Sequence, residues 1–530
     1  MSSDQSGDQK PLMQPFSVLD PEEKKESTYN SSKFEGKCVD PRLMTFCITN
    51  FVINVGISQI APFYPGLAAD KAGLTYSQIG LVFSINPLGS ILFSFVIGSF
   101  IQVWGRKKCL MIALVVQSSV QILFGCLNFM TDNKALFFSM SLISRFFQGM
   151  SRSVYSTVTF AYVPIFWPGE FQKKLAIMET MTALGLLFGP MIGSVLNYAF
   201  GYSIPFFVIA IFFLCAEIPT YTQLPPDSTM KSFEKKKKLP IGKAFTSIKV
   251  IVTIMNVMSI TAGYTYFNPF FVNHMQSFGL SENVAAFILT IPAIFYIGMV
   301  NIIPKIGKHV KKTFMMSLAL VVCFSGNMLE APFWGEGNTL ASVIIGLILV
   351  GVSQSFSMIP SIPQISEFLA PVVTDPQFKN NLTDMASALF IMSMGCGSLV
   401  GPLLGGSVYD GFGGNVNLTG SPPQELIDQE REAFRGAMIC LGLWQLIAAT
   451  LFFFFGDGYK GWSDCCRTLS TGQQPPQDEG QQLTKPLNDD TSDDVMSDND
   501  TLSSEASVGN DNDLLQGPPK KTITIRKEAL

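Results

Sequence analysis

From about Arg42 to Gly458 the chain alternates long apolar runs with short polar connections. About twelve of the runs reach the roughly 20 residues that a helix needs to cross a bilayer. They centre near Ile53, Leu92, Val116, Arg152, Leu186, Ile211, Met258, Ile294, Val321, Leu349, Met394 and Ala448. Several exceed the span length, which implies tilt or kinks. The pattern predicts an all-α membrane protein with twelve transmembrane helices.

The apolar part is written twice. Gly185-Leu-Leu-Phe-Gly189-Pro190-Met-Ile-Gly193 returns as Gly397-Ser-Leu-Val-Gly401-Pro402-Leu-Leu-Gly405-Gly406, an offset of 397 − 185 = 212. The same offset carries Phe200-Gly201 onto Phe412-Gly413. Pro62-Phe-Tyr with Gly73-Leu74 returns as Pro269-Phe-Phe with Gly279-Leu280. Small residues at i, i+4 and i+8 leave one helix face bare, and neighbouring helices in a bilayer approach such faces closely. Proline is tolerated there because freed backbone groups find other partners. A doubled set of spans is the signature of a secondary transporter whose site lies between its halves.

The boundaries follow. Residues 1–42 form a polar N-terminal segment, 43–223 and 250–457 two six-helix bundles, 224–249 a linker, and 458–530 a polar tail. No apolar region precedes the first span, so no cleaved signal peptide is expected. Loop charge sets the orientation. Seventeen Lys and Arg residues fall in loops on the side of the N-terminus, against Lys71, Lys134, Arg431 and Arg435 on the other. Both ends are therefore expected in the cytosol. The run Lys235 to Lys238 reads as a solvated linker or a contact with anionic headgroups. The tail is poor in aromatics and is expected to be disordered. It holds two further signals. Cys465-Cys466 is either a palmitoylation site or a pair of free thiols. Leu514-Leu515, after acidic residues, resembles a sorting signal for cytosolic adaptors. Asn417-Leu-Thr419 is a glycosylation sequon in the last outer loop. Asn381 and Asn499 head sequons on the cytosolic side and should stay bare.

Composition narrows the function. Of 530 residues 48% are hydrophobic and only 14% charged, against roughly 25% charged in a soluble domain. The 10 cysteines have no paired spacing, and the two histidines, His274 and His309, read as lying in separate polar connections. No nucleophile–base pair or metal cluster stands out. The chain is not expected to be an enzyme, to hold a cofactor or metal, or to bind nucleic acid. Its expected partners are membrane lipid, a small-molecule substrate and protons.

Charge inside a span is costly and marks function by default. Arg145 and Arg152 stand seven apart in the fourth span, on one face two turns apart. Glu179 lies in the fifth span, and its repeat counterpart (179 + 212) is Ile391. Two readings stay open: a proton or cation site tuned by the arginines, or a structural ion pair with Lys173 or Lys174. Arg145 reads equally as a brace on backbone carbonyls. Glu217, Glu330 and Glu367 lie near span ends and read as interfacial. Asn50 and Asn54 in the first span, with Ser58 and Gln59, Tyr264 and Asn268 with Tyr266 in the seventh, and Gln354 and Ser357 with Ser361 and Gln364 in the tenth define a candidate substrate pocket. Tyrosine faces could hold a cationic amine there. The plainer reading is interhelical hydrogen bonding.

The run Gly98-Ser-Phe-Ile-Gln102-Val-Trp-Gly105-Arg106-Lys107 resembles the loop motif of the major facilitator superfamily, with Gln102 in place of its acid. Arg145-Phe-Phe-Gln148-Gly149 resembles the fourth-helix motif of that superfamily, and the Gly185 run its antiporter motif. Within it, Ala61-Pro-Phe-Tyr-Pro65, Met178-Glu179-Thr180, Phe200-Gly201-Tyr-Ser-Ile-Pro205-Phe206 and Ser357-Met-Ile-Pro360 resemble the vesicular amine transporters, most closely their polyamine-transporting branch. The resemblance implies two six-helix halves and proton-driven antiport of organic cations into acidic compartments, with Glu179 matching a glutamate of the polyamine branch. The acids of the monoamine members fall on Ile53, Asn268, Ser355 and Ile391, none acidic here. An intracellular vesicle or endosomal membrane is favoured over the plasma membrane. The alternatives are a transporter of an anionic or neutral metabolite bound through Arg145 and Arg152, and a non-transporting sensor or scaffold.

Overall fold

The computed structural model describes residues 40–463 apart from 95, 98–100, 102–103, 168–169, 225–240, 301, 308–309, 332–338, 374–381 and 415–421. Gly98, Gln102, Asn417, Asn381, His309, the lysine run, Cys465, Cys466 and the Leu514-Leu515 signal lie outside the described residues.

The long helices, in chain order, are α1 (Pro41–Ser58), α2 (Tyr76–Ser94), α3 (Arg106–Cys126), α4 (Lys134–Phe166), α5 (Phe171–Phe200) and α6 (Ser203–Gln223). They are followed by α7 (Ile248–Thr265), α8 in two pieces (Glu282–Leu289 and Ile291–Val300), α9 (Lys312–Glu330), α10 (Leu340–Leu369), α11 (Leu382–Gly411) and α12 (Gln424–Phe455). No strand occurs among the described residues. Ten of these helices are long and apolar enough to cross a membrane. The other two, α1 and α4, carry their polar side chains inward instead. Asn50 and Asn54 of α1 are buried, as are Ser144, Arg145, Gln148 and Ser151 of α4. A polar group in a bilayer is least costly when it faces the bundle.

The doubling seen in the sequence is a doubling of packing. Pairs α1–α5, α2–α4 and α3–α6 in the first half match α7–α11, α8–α10 and α9–α12 in the second. The glycine faces meet equivalent partners. Cβ atoms built on Gly185, Gly189 and Gly193 would collide with Asn54, Ser58 and Gln59 of α1 and its end. Those built on Gly397, Gly401 and Gly405 would collide with Thr261, Thr265 and Tyr266. The partners are related by one offset, since 54, 58 and 59 each plus 207 give 261, 265 and 266. Backbone conformation repeats as well. Gly73 and Gly279 have φ +66° and +76°, and Gly201 and Gly413 have +86° and +83°, a region that favours glycine.

One end of the bundle, here the near end, holds the start of α1 and the end of α12. There Lys107 at the start of α3 donates to the carbonyls of Tyr221 (2.6 Å) and Leu224 (2.9 Å), at the end of α6. The matching clasp in the second half is ionic: Lys249 of α7 lies 2.5 Å from Asp457, just past α12. Burial alone would raise the Asp457 carboxyl, but hydrogen bonds from Lys249 and Lys460 outweigh it and hold the group below its usual range. A carboxyl depressed in the folded state contributes stability above its unfolded pKa and loses it only as pH falls through the folded one. That window lies below the ordinary carboxyl value of 3.8.

Two outcomes follow. Gly405→Ala places a Cβ 2.1 Å from the Tyr266 carbonyl, whereas Gly298 has nothing within 4 Å. Gly405→Ala should lower the melting temperature in detergent markedly, and Gly298→Ala should hold or raise it, the stability gain being up to about 1 kcal/mol. Equal losses would contradict close approach as the source of stability. Lys249→Met should cost about 0–1 kcal/mol, with the same melting shift at ~pH 7.5 and ~pH 5.5 because both lie above the Asp457 window.

Candidate functional site

Glu179 is set by α1. The Asn50 amide donates to the Met178 carbonyl (2.8 Å) and the Thr182 hydroxyl (2.7 Å), residues on either side of the glutamate. Asn54 donates to the Asn50 backbone carbonyl at 2.8 Å and, at 3.4 Å, to the oxygen of the Asn50 side-chain amide. Glu179 itself is exposed. It lies within electrostatic range of Arg152 on α4 and of Tyr296 on α8, so its surroundings include both halves. Lys174 pairs with Glu170 (3.1 Å), the N-cap residue of α5. Ile391, the counterpart of Glu179, is an exposed apolar side chain on α11.

The two arginines have different surroundings. Arg145 is buried, and its guanidinium donates to Gln148 at 2.5 Å. Asn86 of α2 also donates to Gln148 (3.2 Å), and Gln148 donates to the Gly56 carbonyl of α1 (3.2 Å). Gln121 of α3 reaches the same carbonyl at 3.1 Å. This polar knot ties α1, α2, α3 and α4 together, and a side-chain amide takes the place expected for backbone carbonyls around Arg145. Arg152 is half-buried and electrostatically coupled to both Glu179 and Arg145.

In the second half Ser357 donates to Asn256 (2.7 Å), which donates to the Met316 carbonyl (3.0 Å), joining α10, α7 and α9. Tyr264, Asn268 and Gln354 are half-buried. Tyr266 is buried against Gly405, with its hydroxyl unpartnered. Of the loop motif, Gly105 takes φ +84° at the start of α3, followed by Arg106 and by Lys107 in its clasp on α6.

Hydrogen bonds between the halves whose two partners are both described gather at the far end. Asp410, near the end of α11, accepts from the Tyr76 amide (3.1 Å) and from the Ser77 amide and hydroxyl (2.6 Å each) at the start of α2. A carboxylate on free helix N–H groups is favoured by charge and dipole together. Close backbone contact makes the seam possible. A Cβ on Gly406 would lie 2.1 Å from the Tyr76 carbonyl, and one on Gly80 2.2 Å from the Pro402 carbonyl. The opposite seam holds Ser194 of α5 against Asn283 of α8 (2.7 Å), and Glu282 rests on Gly66. Sequence reasoning missed Asp410, which reads as an ordinary polar residue at a span end. The signal was the doubled glycine Gly405-Gly406, which offers a second bare face to a second helix.

Two sequence readings are corrected. Glu330 is fully buried with both carboxylate oxygens unpartnered, packed on Gly346 of α10, rather than interfacial. His274 is fully buried and paired with Glu430 (3.1 Å), rather than lying in a polar connection. A short helix after α7, Phe271–Gln276, folds it back into the bundle.

A helical chain doubled in sequence and packing, with its halves meeting around a charged helix pair, defines a transporter fold. The profile of the Major Facilitator Superfamily matches residues 46–374. The chain belongs to that superfamily, as a multi-pass integral membrane protein and not an enzyme. It is 25% identical over 458 residues to the MFS-type transporter SLC18B1 of Homo sapiens, covering 80% of this chain and 89% of that one. The Rattus norvegicus protein of the same name is 23% identical over 435 residues, covering 79% and 87%. In structure the chain is similar to the nucleoside transporter NupG, with TM-score 0.62, 13% identity, and 78% and 98% of the two chains covered. It is equally similar to a bacterial homolog of the human lysosomal transporter Spinster, with TM-score 0.62, 12% identity, and 82% and 98% covered.

The seam yields a prediction. Asp410→Ala removes three hydrogen bonds between the halves, and Gly406→Ala inserts a methyl into backbone. Spin labels at Asp132 and Gln424, exposed far-end positions on opposite halves, should show longer distances in both variants than in the parent. Unchanged distances would show that the seam does not close the far end.

Proposed function

We propose that the chain is a proton-coupled antiporter of small organic cations, polyamines above all, with Glu179 as the coupling carboxylate. In this reading twelve helices span the membrane and both chain ends are cytosolic, so the near end faces the cytosol and the far end the lumen of an acidic vesicle or endosome. The observation that carries it is the setting of Glu179: an exposed carboxylate on α5, fixed through Asn50, with charge on its own half and a tyrosine on the other. A carboxylate there can take a proton or a cationic amine, but not both, and that exclusion is the basis of exchange. Rocking of the halves carries whichever is bound from one side to the other. The resemblance of Met178-Glu179-Thr180 to the polyamine-transporting branch of the vesicular amine transporters supports the same assignment, as does the similarity to the SLC18B1 proteins. The polar side chains Tyr264, Asn268 and Gln354 on α7, its end and α10 are candidates for the substrate's remaining contacts, with the aromatic face of Tyr264 suited to a cation.

Reconstituted protein should accumulate labelled spermidine when an inward-acid gradient is imposed. Glu179→Gln should reduce this accumulation at least ~10-fold, because the amide cannot carry the proton. Uptake that ignores the gradient would sink proton coupling. Competition by dicarboxylates rather than amines would move the substrate to anions, with Arg152 as the contact.

A further inference from the structure

A second titratable group, on the other half and at the other end, is built into the far-end seam. Both side chains of the His274–Glu430 pair are fully buried. His274 Nδ1 lies 3.1 and 3.2 Å from the two Glu430 oxygens. The Tyr409 hydroxyl donates to Glu430 at 3.1 Å, and Asn273 donates to that hydroxyl at 2.9 Å. The Tyr409 ring stacks on Phe270 (4.4 Å) and meets Tyr76 edge-on (4.9 Å). Tyr76 is the residue whose amide Asp410 holds across the seam. An unbroken path therefore runs from the His274 ring to the contact between α2 and α11. The Phe434 ring lies flat on the histidine at 3.5 Å and closes one face of it.

His274 Nε2 is buried and has no hydrogen-bond partner. As a lone pair, that atom is an unpaired acceptor on an uncharged ring, a smaller cost than an unpaired donor on a charged one. As an N–H it would be a buried unpaired donor, which is expensive. In the closed seam Nδ1 is the ring nitrogen that meets Glu430, and Nε2 is the one left without a partner. We propose that His274 Nε2 is a proton-binding site that couples acidity on the far side to opening of the far-end seam. A proton taken from outside water onto Nε2 gives an imidazolium whose new N–H needs water. Separation of the halves supplies that water, so protonation favours the open seam. On reclosing, the same proton leaves Nε2 for the water from which it came. Histidine is the side chain suited to the pH range between cytosol and an acidic lumen.

Other ionisable groups on the surrounding elements set the background. Glu430 on α12 favours the charged ring. Arg431, beside it, opposes this but is turned to the Ser277 carbonyl at 3.1 Å. Asp410 on α11 and Tyr76 on α2 lie at the seam itself. Glu282 at the start of α8, with Asp70 and Lys71 after the Tyr64–Gly66 turn, forms a group at the opposite seam. Burial pushes the Asp70 carboxyl up, so Asp70 titrates in the same direction, and the test must separate the two. The proposal deepens the proton-driven reading and rests on it only for which side is acidic.

The experiment uses full-length protein in nanodiscs, where both faces see one pH, with exposed native cysteines replaced and spin labels at Asp132 and Gln424. Between ~pH 7.5 and ~pH 5.5 the fraction with separated far ends should rise about threefold. His274→Asn puts an amide donor where Nδ1 stands and removes the titrating atom, so it should abolish that rise while Asp70→Asn keeps it. Tyr409→Phe cuts the link from Glu430 to the seam. It should raise the separated fraction at both pH values, which gives a second reading if the asparagine variant does not fold. A parent with no pH response, or a His274→Asn variant that keeps the full response, overturns the proposal. Spermidine uptake by Glu179→Gln is scored separately, so loss of the seam response and loss of coupling at Glu179 are told apart.

Discussion

Backbone-to-backbone approach at glycine is the constraint on which the rest depends. Lipid tails are as apolar as leucine, so burial alone does not drive these helices together. What remains is contact dispersion and hydrogen bonding, and both need short distances. Gly185, Gly189 and Gly193 bring α5 onto α1, and that contact lets Asn50 reach past the helix surface to the Met178 carbonyl. Gly406 brings α11 onto α2, and that contact lets Asp410 reach the Tyr76 and Ser77 amides. The candidate coupling site and the far-end closure are thus two products of one packing device, used within a half and between halves.

The two halves repeat in backbone but not in chemistry. The matched positive φ angles at Gly73 and Gly279, and at Gly201 and Gly413, show how faithfully the chain path is copied. The side chains diverge. Glu179 faces Ile391 across the pseudo-symmetry, and Asp410 falls opposite Tyr198, an exposed aromatic. The first half carries Glu179 on α5, and the second carries Asp410 and Glu430 at the far-end seam. The scaffold is repeated, and equivalent places in it carry different side chains.

Much of this was legible before any coordinates. Apolar run length gave the helices, and the repeated Gly-Pro segments marked two helix faces for close approach without saying which helices they meet. Where reading fell short, the cause was tertiary. His274 sits among Asn273, Gln276 and Ser277, which reads as a polar loop. Only the fold-back of Phe271–Gln276 onto α12 buries it beside Glu430. Glu330 ends its span, where a carboxylate normally meets headgroups, yet Gly346 leaves a hollow on α10 that receives it. Neither the partner of His274, 156 residues away, nor the hollow that receives Glu330 on the next helix leaves a trace in local composition.

Arg152 and Glu179 ride on the same half. A rigid rocking motion therefore leaves the spacing between this cation and this anion constant, and changes only what the opposite half presents to them. On the opposite half Tyr296 lies within electrostatic range of Glu179, and it is not a counter-charge. On the proposed reading, alternation in the proton affinity of Glu179 would come from a change in its hydration rather than from making and breaking its contact with Arg152. A machine of that kind would be sensitive to the volume of its cargo, since a bulky amine displaces more water than a slender one.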